Sequence, residues 1–342
     1  MSKYKFNYKW YLKDGYPESN RLKVFGTFIC GGGSTMGYKL AGFEHLGGVE
    51  IDPPIADVYK TNHNPKYLFI EDIREFAKRT DFPEDLYNLD ILDGSPPCSS
   101  FSMAGNREKD WGKTKVFREG QAEQRLDDLF FDYIALAKKL QPKVVIAENV
   151  KGLIQGNAKA YVHRIKKEFE LAGYKVQLFL LNAASMGVPQ KRERVFFICQ
   201  RNDLNFPKLE LNFNEEAILF NDIIENVHYN DLTKNELYLW NNKIYGDGDF
   251  GVINVRLGNK QNSFTTKLLY KEKVCNTVTG GDNNILFDIP RKTTKNEVCQ
   301  IGTYPLDYNF KKIEPKYLIG MSVPPVMTAQ IANEIYNQWF KK

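Results

Sequence analysis

Over its first two-thirds the chain alternates short apolar runs with longer amphipathic stretches. Residues 24–29, 48–51, 89–93, 143–147, 176–181 and 195–199 are mostly apolar and bounded by polar or glycine positions, the pattern of buried strands. Between them, 127–140 and 161–171 repeat apolar residues at helical spacing, and Gly173 follows the second as a stop. Alternating strand and helix predicts an α/β fold, a mostly parallel, doubly wound sheet covered on both faces. The texture changes after about Arg201. Residues 205–288 are rich in Asn, Lys, Tyr and Gly, carry short β-like pieces such as 252–257, and show no βα rhythm, so they read as a smaller, irregular, β-containing domain. Residues 328–340 are helical again, after the stiff run Val323-Pro324-Pro325.

Composition narrows the class. The chain has 342 residues, 42% of them hydrophobic and 26% charged, enough for a packed core. Mean hydropathy is −0.46 and no apolar run reaches membrane-spanning length, so no membrane partner is expected. The first ten residues are aromatic and basic without an apolar centre, and no secretory signal is expected there. The five cysteines lack metal-type spacing and only four histidines are present, so no metal is expected. Unpaired thiols suit a reducing, cytoplasmic compartment. A net charge of +5 is compatible with a nucleic-acid partner.

Four constellations carry chemistry. Leu92-Asp93-Gly94-Ser95-Pro96-Pro97-Cys98 ends an apolar run in two prolines and a thiol. Proline fixes φ and restricts its predecessor, which holds Cys98 at a strand mouth, where open α/β sheets place ligands. Phe28-Ile29-Cys30-Gly31-Gly32-Gly33 follows the first strand, and Glu50 closes the second. Such a turn lets a ligand approach the backbone, and a strand-end carboxylate suits ribose hydroxyls. The run fits G-x-G-x-x-G poorly, so an uncharged nucleoside suits it better than a dinucleotide. Glu148-Asn149-Val150 puts a carboxyl directly after a buried strand, a position suited to proton donation. In Gln190-Lys191-Arg192-Glu193-Arg194, strand alternation predicts that Arg192 and Arg194 share one face and hold a carboxylate, carbonyl or phosphate. Taken singly, a tight turn, a helix cap or a solvated charge run would explain each.

In order and wording these runs resemble the DNA cytosine-C5 methyltransferases, from Val24 to the C-terminal helix. Glu71-Asp72-Ile73, Arg291 with Thr294 and Glu297, and Gly320-Met321-Ser322-Val323-Pro324-Pro325 match as well. The resemblance implies an S-adenosylmethionine-dependent methyltransferase fold with a target-recognition domain. It implies residues 1–20 as an N-terminal extension, 21–204 as the catalytic and cofactor-binding domain, and 205–288 as the target-recognition domain. Residues 289–342 would be a C-terminal segment whose last helix returns to the catalytic domain. S-adenosylmethionine would be the methyl donor and S-adenosylhomocysteine the product. Its binding residues would be Phe28, Gly31, Gly32, Gly33, Glu50, Ile51, Asp72, Ile73, Pro97, Leu129, Ser322 and Val323. Cys98, Glu148, Arg192 and Arg194 would be catalytic, and Asn149 and Gln190 would position substrate. Three positions depart from the family pattern: Cys30 stands for the first glycine of the turn, Met321 for asparagine, and Ser99 for the residue after the thiol.

The resemblance further implies addition of Cys98 to C6 of a cytosine flipped out of duplex DNA, which makes C5 a nucleophile. Glu148 would bind N3 and the exocyclic amine, Arg194 the O2 edge, and Arg192 the thiolate or a phosphate. Residues 99–123 read as a loop that closes behind the base, and Asn254, Arg256, Asn259, Lys260 and Gln261 are suitable base-edge readers. A monomer is expected, acting beside a separate restriction endonuclease. An RNA cytosine methyltransferase and a non-catalytic DNA-binding relative stay open as alternatives. The Cys-Phe-Thr signature of the tRNA-specific branch does not occur, and neither the thiol nor the carboxyl is lost.

Overall fold

The computed structural model describes residues 3–97, 129–155, 158–281 and 283–341, together with the backbone of 114–115 and 124–125. Cys98, Ser99 and most of the expected closing loop lie outside the described residues. In chain order the elements are β1 (Lys23–Thr27), α1 (Gly33–Leu40), β2 (Glu44–Glu50), α2 (Pro53–His63), β3 (Tyr67–Ile70), α3 (Ile73–Lys78), α4 (Glu84–Tyr87) and β4 (Ile91–Gly94). Next come β5 (Thr114–Lys115), β6 (Gln124–Arg125), α5 (Leu129–Leu140), β7 (Val144–Val150), α6 (Lys159–Leu171), β8 (Tyr174–Asn182), β9 (Gln190–Lys191) and β10 (Glu193–Arg201). The rest are α7 (Lys234–Asn241), α8 (Phe250–Arg256), β11 (Thr266–Leu269), β12 (Cys275–Asn276), β13 (Asn283–Leu286), α9 (Lys295–Ile301), α10 (Pro315–Met321) and α11 (Pro325–Ile335).

The chain divides into two compact units. One holds 16–182, 193–212 and 328–342, and the other 1–15, 183–192 and 213–327. These edges differ from the boundaries expected at 204 and 288. The short stretch 183–192 and the N-terminal 1–15 both belong to the second unit, while the chain end from 328 belongs to the first.

The first unit is built on a seven-stranded sheet in the order β3-β2-β1-β4-β7-β10-β8. β3 through β7 run parallel, and β10 is antiparallel to both its neighbours. All six runs read as strands lie in it. The seventh strand, β3, escapes the pattern because it is a short, half-exposed edge without a buried apolar run. α5 and α6 bury Tyr133, Leu136, Ile165 and Phe169 with Phe25, Leu92, Val145 and Phe197. The Tyr133 hydroxyl lies 2.9 and 2.8 Å from the carbonyls of Leu92 and Ile146. The last residue of β4, Gly94, is glycine for a steric reason. A Cβ there would sit 2.4 Å from Thr27 Oγ1 and 2.7 Å from the Tyr133 ring.

The second unit carries two apolar clusters, one around Ile218, Phe220, Leu269, Val278 and Ile301, the other around Leu239, Phe250, Ile253, Leu268 and Tyr270. Residues 252–257, expected to be β-like, lie mostly in the helix α8. Asp249 caps it by accepting from the Val252 N–H at 3.1 Å. The buried positions Phe250, Ile253 and Asn254 follow helical spacing, which overrides the strand preference of Val252, Ile253 and Val255. The N-terminal stretch is built in. Trp10 Nε1 donates to the Thr303 carbonyl at 2.9 Å, and the Leu12 and Lys13 amides donate to the Asp307 carboxylate at 2.7 and 3.1 Å. Arg291 and Glu297 form a fully buried pair at 2.7 Å, while Thr294 caps α9.

Candidate active site

The glycine turn between β1 and α1 is tightly wound. Phe28 and Cys30 adopt φ of 54° and 47°, and Gly32 one of 76°. Cys30 thus stands in a left-handed conformation that costs a side-chain-bearing residue roughly 1–2 kcal/mol. Its amide donates to Glu50 Oε2 at 2.9 Å, and the Asp52 amide donates to Glu50 Oε1 at 3.0 Å. Two backbone donors therefore aim the carboxyl that ends β2. Burial raises it to about 6, against the pull of those hydrogen bonds. Each of its oxygens keeps a further lone pair for a hydroxyl. Ile51, next to this carboxyl in sequence, and Phe28, in the glycine turn, are both half-buried and offer apolar surface. A carboxyl so oriented, beside a turn of three glycines, fits the ribose of a nucleoside such as that of S-adenosylmethionine.

The other expected cofactor residues differ among themselves. Asp72 is the cap of α3, accepting from the Arg74 amide at 2.8 Å and from its guanidinium at 2.9 Å. Ile73 and Leu129 are buried in the core of the sheet unit. Pro97 is half-buried at the last described position before the thiol.

At the ends of β7 and β10 stands an ion pair, Arg194 Nε to Glu148 Oε1 at 2.9 Å, with side chains only 15% and 12% exposed. Arg194 also donates to the Glu193 carbonyl at 2.8 Å. Burial lowers its guanidinium from the usual value while Glu148 opposes the shift. Next to Glu148 in sequence, Asn149 donates through Nδ2 to the Pro96 carbonyl at 3.0 Å and accepts from the Val150 amide at 2.9 Å. Asn149 thereby fastens the diproline that leads into Cys98. Behind lies Asp93, a group not singled out from sequence although it is the one acid in an apolar strand. Tyr38 donates to it at 3.0 Å. Burial pushes its carboxyl up to about 7, and the negative Glu148 adds to the shift.

The arginines do not converge as strand alternation predicted. Arg192 is buried in the second unit, where it donates to the backbone carbonyls of Val278 at 3.0 Å and Gly320 at 2.9 Å. The strand pattern breaks between them, since β9 ends at Lys191 and β10 starts at Glu193. Gln190 holds the same region, donating to the Ile301 carbonyl at 2.8 Å and accepting from the Val278 amide at 3.2 Å. Arg192 and Gln190 thus organise the backbone around Val278 and Gly320. Ser322, two residues beyond Gly320, donates to the Leu318 carbonyl at 2.9 Å and accepts from Tyr304 at 2.7 Å. Val323 is buried and Met321 is 46% exposed.

Two of the suggested base readers are engaged by partners within the second unit. Asn254 is buried and donates to the Asn262 carbonyl at 2.9 Å. Arg256 clamps Asp247 through both terminal nitrogens, at 2.6 and 2.8 Å. Asn259, Lys260 and Gln261 are exposed. Cys199, Cys275 and Cys299 are buried thiols that desolvation pushes up, Cys299 to about 12. Such thiols are poor nucleophiles.

Residues 22–337 match the family model described as C-5 cytosine-specific DNA methylase. The chain is 31% identical to Type II methyltransferase M.NgoPII of Neisseria gonorrhoeae, over 92% of this chain and 96% of that one. It is 28% identical to Type II methyltransferase M1.HphI of Haemophilus parahaemolyticus, over 92% and 86% respectively. A crystal structure of a DNMT2 variant from Spodoptera frugiperda superposes with a TM-score of 0.63 at 19% identity, over 94% of this chain and all of that one.

Proposed function

The chain belongs to the C-5 cytosine-specific DNA methylase family and is a DNA cytosine-C5 methyltransferase, and we propose that Cys98, Glu148 and Arg194 carry its chemistry. The observation that carries the reading is the Glu148–Arg194 pair beside Asn149, which holds the Pro96 carbonyl two residues before Cys98. In this reading the Cys98 thiolate adds to C6 of a cytosine flipped from a specific duplex site, and the electron pair moves toward C5 and the ring. With the base bound, Glu148 acts in its protonated form, donating a hydrogen bond to N3 and accepting one from the exocyclic amine, which offsets the negative charge that develops on the ring. Arg194 holds Glu148 in place and binds the O2 edge. Bound S-adenosylmethionine supplies the methyl group that C5 takes. Loss of the C5 proton to water or hydroxide then expels Cys98 as a thiolate, and the N3 proton returns to Glu148 as the ring is restored.

Glu50 and the turn at Gly31, Gly32 and Gly33 hold the nucleoside end of the cofactor, together with Phe28, Ile51, Asp72, Ile73, Pro97 and Leu129. Ser322 and Val323 hold its methionine end. Arg192 acts as a positioning residue through the backbone at Val278 and Gly320. Asn259, Lys260 and Gln261 stand among the readers of the DNA site. The enzyme works as a cytoplasmic monomer, protecting DNA from a separate endonuclease.

Cys98→Ala tests the assignment. Bisulfite sequencing of DNA from cells expressing the variant should show no 5-methylcytosine, while calorimetric binding of S-adenosylhomocysteine stays within twofold of wild type. Full methylation by the variant would overturn the mechanism. Transfer of labelled methyl to tRNA rather than duplex DNA would favour the RNA reading.

A further inference from the structure

Among the described residues, a buried cluster built on two histidines has no task in the mechanism. It lies under the glycine turn, where α1 and α2 meet. His63, the last residue of α2, is 5% exposed, and its Nε2 lies 3.2 Å from the Gly31 carbonyl. A carbonyl only accepts, so Nε2 carries the proton and His63 donates. The Gly32 amide donates in turn to the Ile29 carbonyl at 2.8 Å. The peptide between Gly31 and Gly32 is thus fixed at both of its polar atoms.

The ring also fills the space beneath the turn. A Cβ on Gly32 would fall 2.3 Å from His63 Nε2 and 2.8 Å from Cδ2. Glycine is needed there for its φ of 76° and also because the imidazole is there. The Tyr59 ring packs at 4.6 Å from that of His63. A second histidine braces the next turn. His45 Nδ1 accepts from the Gly47 amide at 3.3 Å, which leaves Nε2 as the donor to Thr35 Oγ1 at 3.3 Å. Thr35 in turn lies 3.1 Å from the Tyr59 hydroxyl. Desolvation holds both imidazoles neutral, His63 down to about 3, with the nearby Lys39 adding to the shift.

We propose that His63 is a positioning residue for cofactor binding: its Nε2–H sets the orientation of the Gly31–Gly32 peptide, and its ring sets the depth of the turn on which S-adenosylmethionine rests. The proposal rests on the reading that this turn holds the cofactor. It assigns His63 to affinity for the donor rather than to the chemistry on cytosine.

The test reads binding of S-adenosylhomocysteine by calorimetry, thermal unfolding, and the split between KM for S-adenosylmethionine and kcat. His63→Ala should weaken binding roughly five- to tenfold, the value of one neutral hydrogen bond with some loosening of the turn. KM for the donor should rise in parallel, with kcat within twofold. His63→Gln, whose Nε2 keeps a donor at about the same reach, should recover most of the loss. Gly32→Ala supplies an independent arm. It should abolish binding beside His63 but cost much less in the His63→Ala background, where the added methyl has room. The left-handed strain is common to both backgrounds and cancels. Equal penalties in the two backgrounds, binding unchanged by His63→Ala, or a loss of kcat with unchanged binding would each overturn the proposal. If the wild-type enzyme itself fails to bind S-adenosylhomocysteine, the reading of the turn falls first. If wild type binds and the variants bind equally well, only the role of His63 falls.

Discussion

Glu148→Gln isolates the charge of the central ion pair without changing its shape. In the wild type, Arg194 Nε meets Glu148 Oε1 at 2.9 Å with both side chains nearly buried. The amide still accepts from Arg194, so the stability loss is the difference between a charge-assisted and a neutral hydrogen bond, about 1 kcal/mol. Arg194→Met is harsher. It strands a buried carboxyl, and breaking a buried pair from one side costs about 3–5 kcal/mol, with the lower value expected for groups still partly exposed. The double variant removes both charges and should be less destabilised than the sum of the singles by at least about 1 kcal/mol, a Tm difference of roughly 1–2 °C at this size. Catalysis should respond differently. An amide cannot transfer a proton to N3, so kcat on duplex DNA should fall about 10²- to 10⁴-fold, with S-adenosylhomocysteine binding unchanged. Labelled-methyl transfer, calorimetry and thermal unfolding on the four proteins give the complete cycle. Additive stability changes within about 0.5 kcal/mol would refute the pair as a working unit. A Glu148→Gln enzyme keeping more than about a tenth of wild-type kcat would refute the proton-donating role.

Three further outcomes follow from the same structure. Cys30→Gly removes left-handed strain at φ 47° but frees the unfolded chain, so stability should rise by no more than about 1 kcal/mol, with cofactor affinity retained; a fall in Tm would contradict this. Arg291→Met leaves Glu297 buried at 0% exposure and should destabilise the second unit by about 3–5 kcal/mol, seen as earlier proteolysis of that unit; unchanged protection would argue against the pair. Asp93 and Glu50 have carboxyls raised in the fold, from 3.8 to about 7 and from 4.5 to about 6. The native state therefore binds more protons than the unfolded chain between those values, and its stability falls as pH rises from about 4 to 7. Asp93→Asn should flatten that slope in urea titrations at several pH values, and an unchanged slope would show that Asp93 ionises freely.

Much of this protein was legible along the chain. Buried strands write themselves as apolar runs because both of their faces are covered, and the six runs read as strands, β8 at the half-exposed edge among them, all lie in the sheet. Glu50 and the glycine turn could be read because the chemistry sits on consecutive residues at a strand end. The sequence by itself thus determined the α/β class and the order of the strand-end groups. It did not determine which partner each charge would take. Arg192 and Arg194 are two residues apart, yet one is bonded to Gly320, 128 residues away, and the other to Glu148. Arg256 and Asn254 likewise have reader chemistry but are bonded to Asp247 and Asn262. In 250–256 local strand preference yielded to a capping aspartate and a buried helical face. Asp93 and His63 acquire their character only when packing strips water from them. Local pattern settles which faces are apolar, since that depends on neighbours one to four residues away. Burial and pairing across distant segments settle what a polar side chain does, and only the tertiary structure decides them.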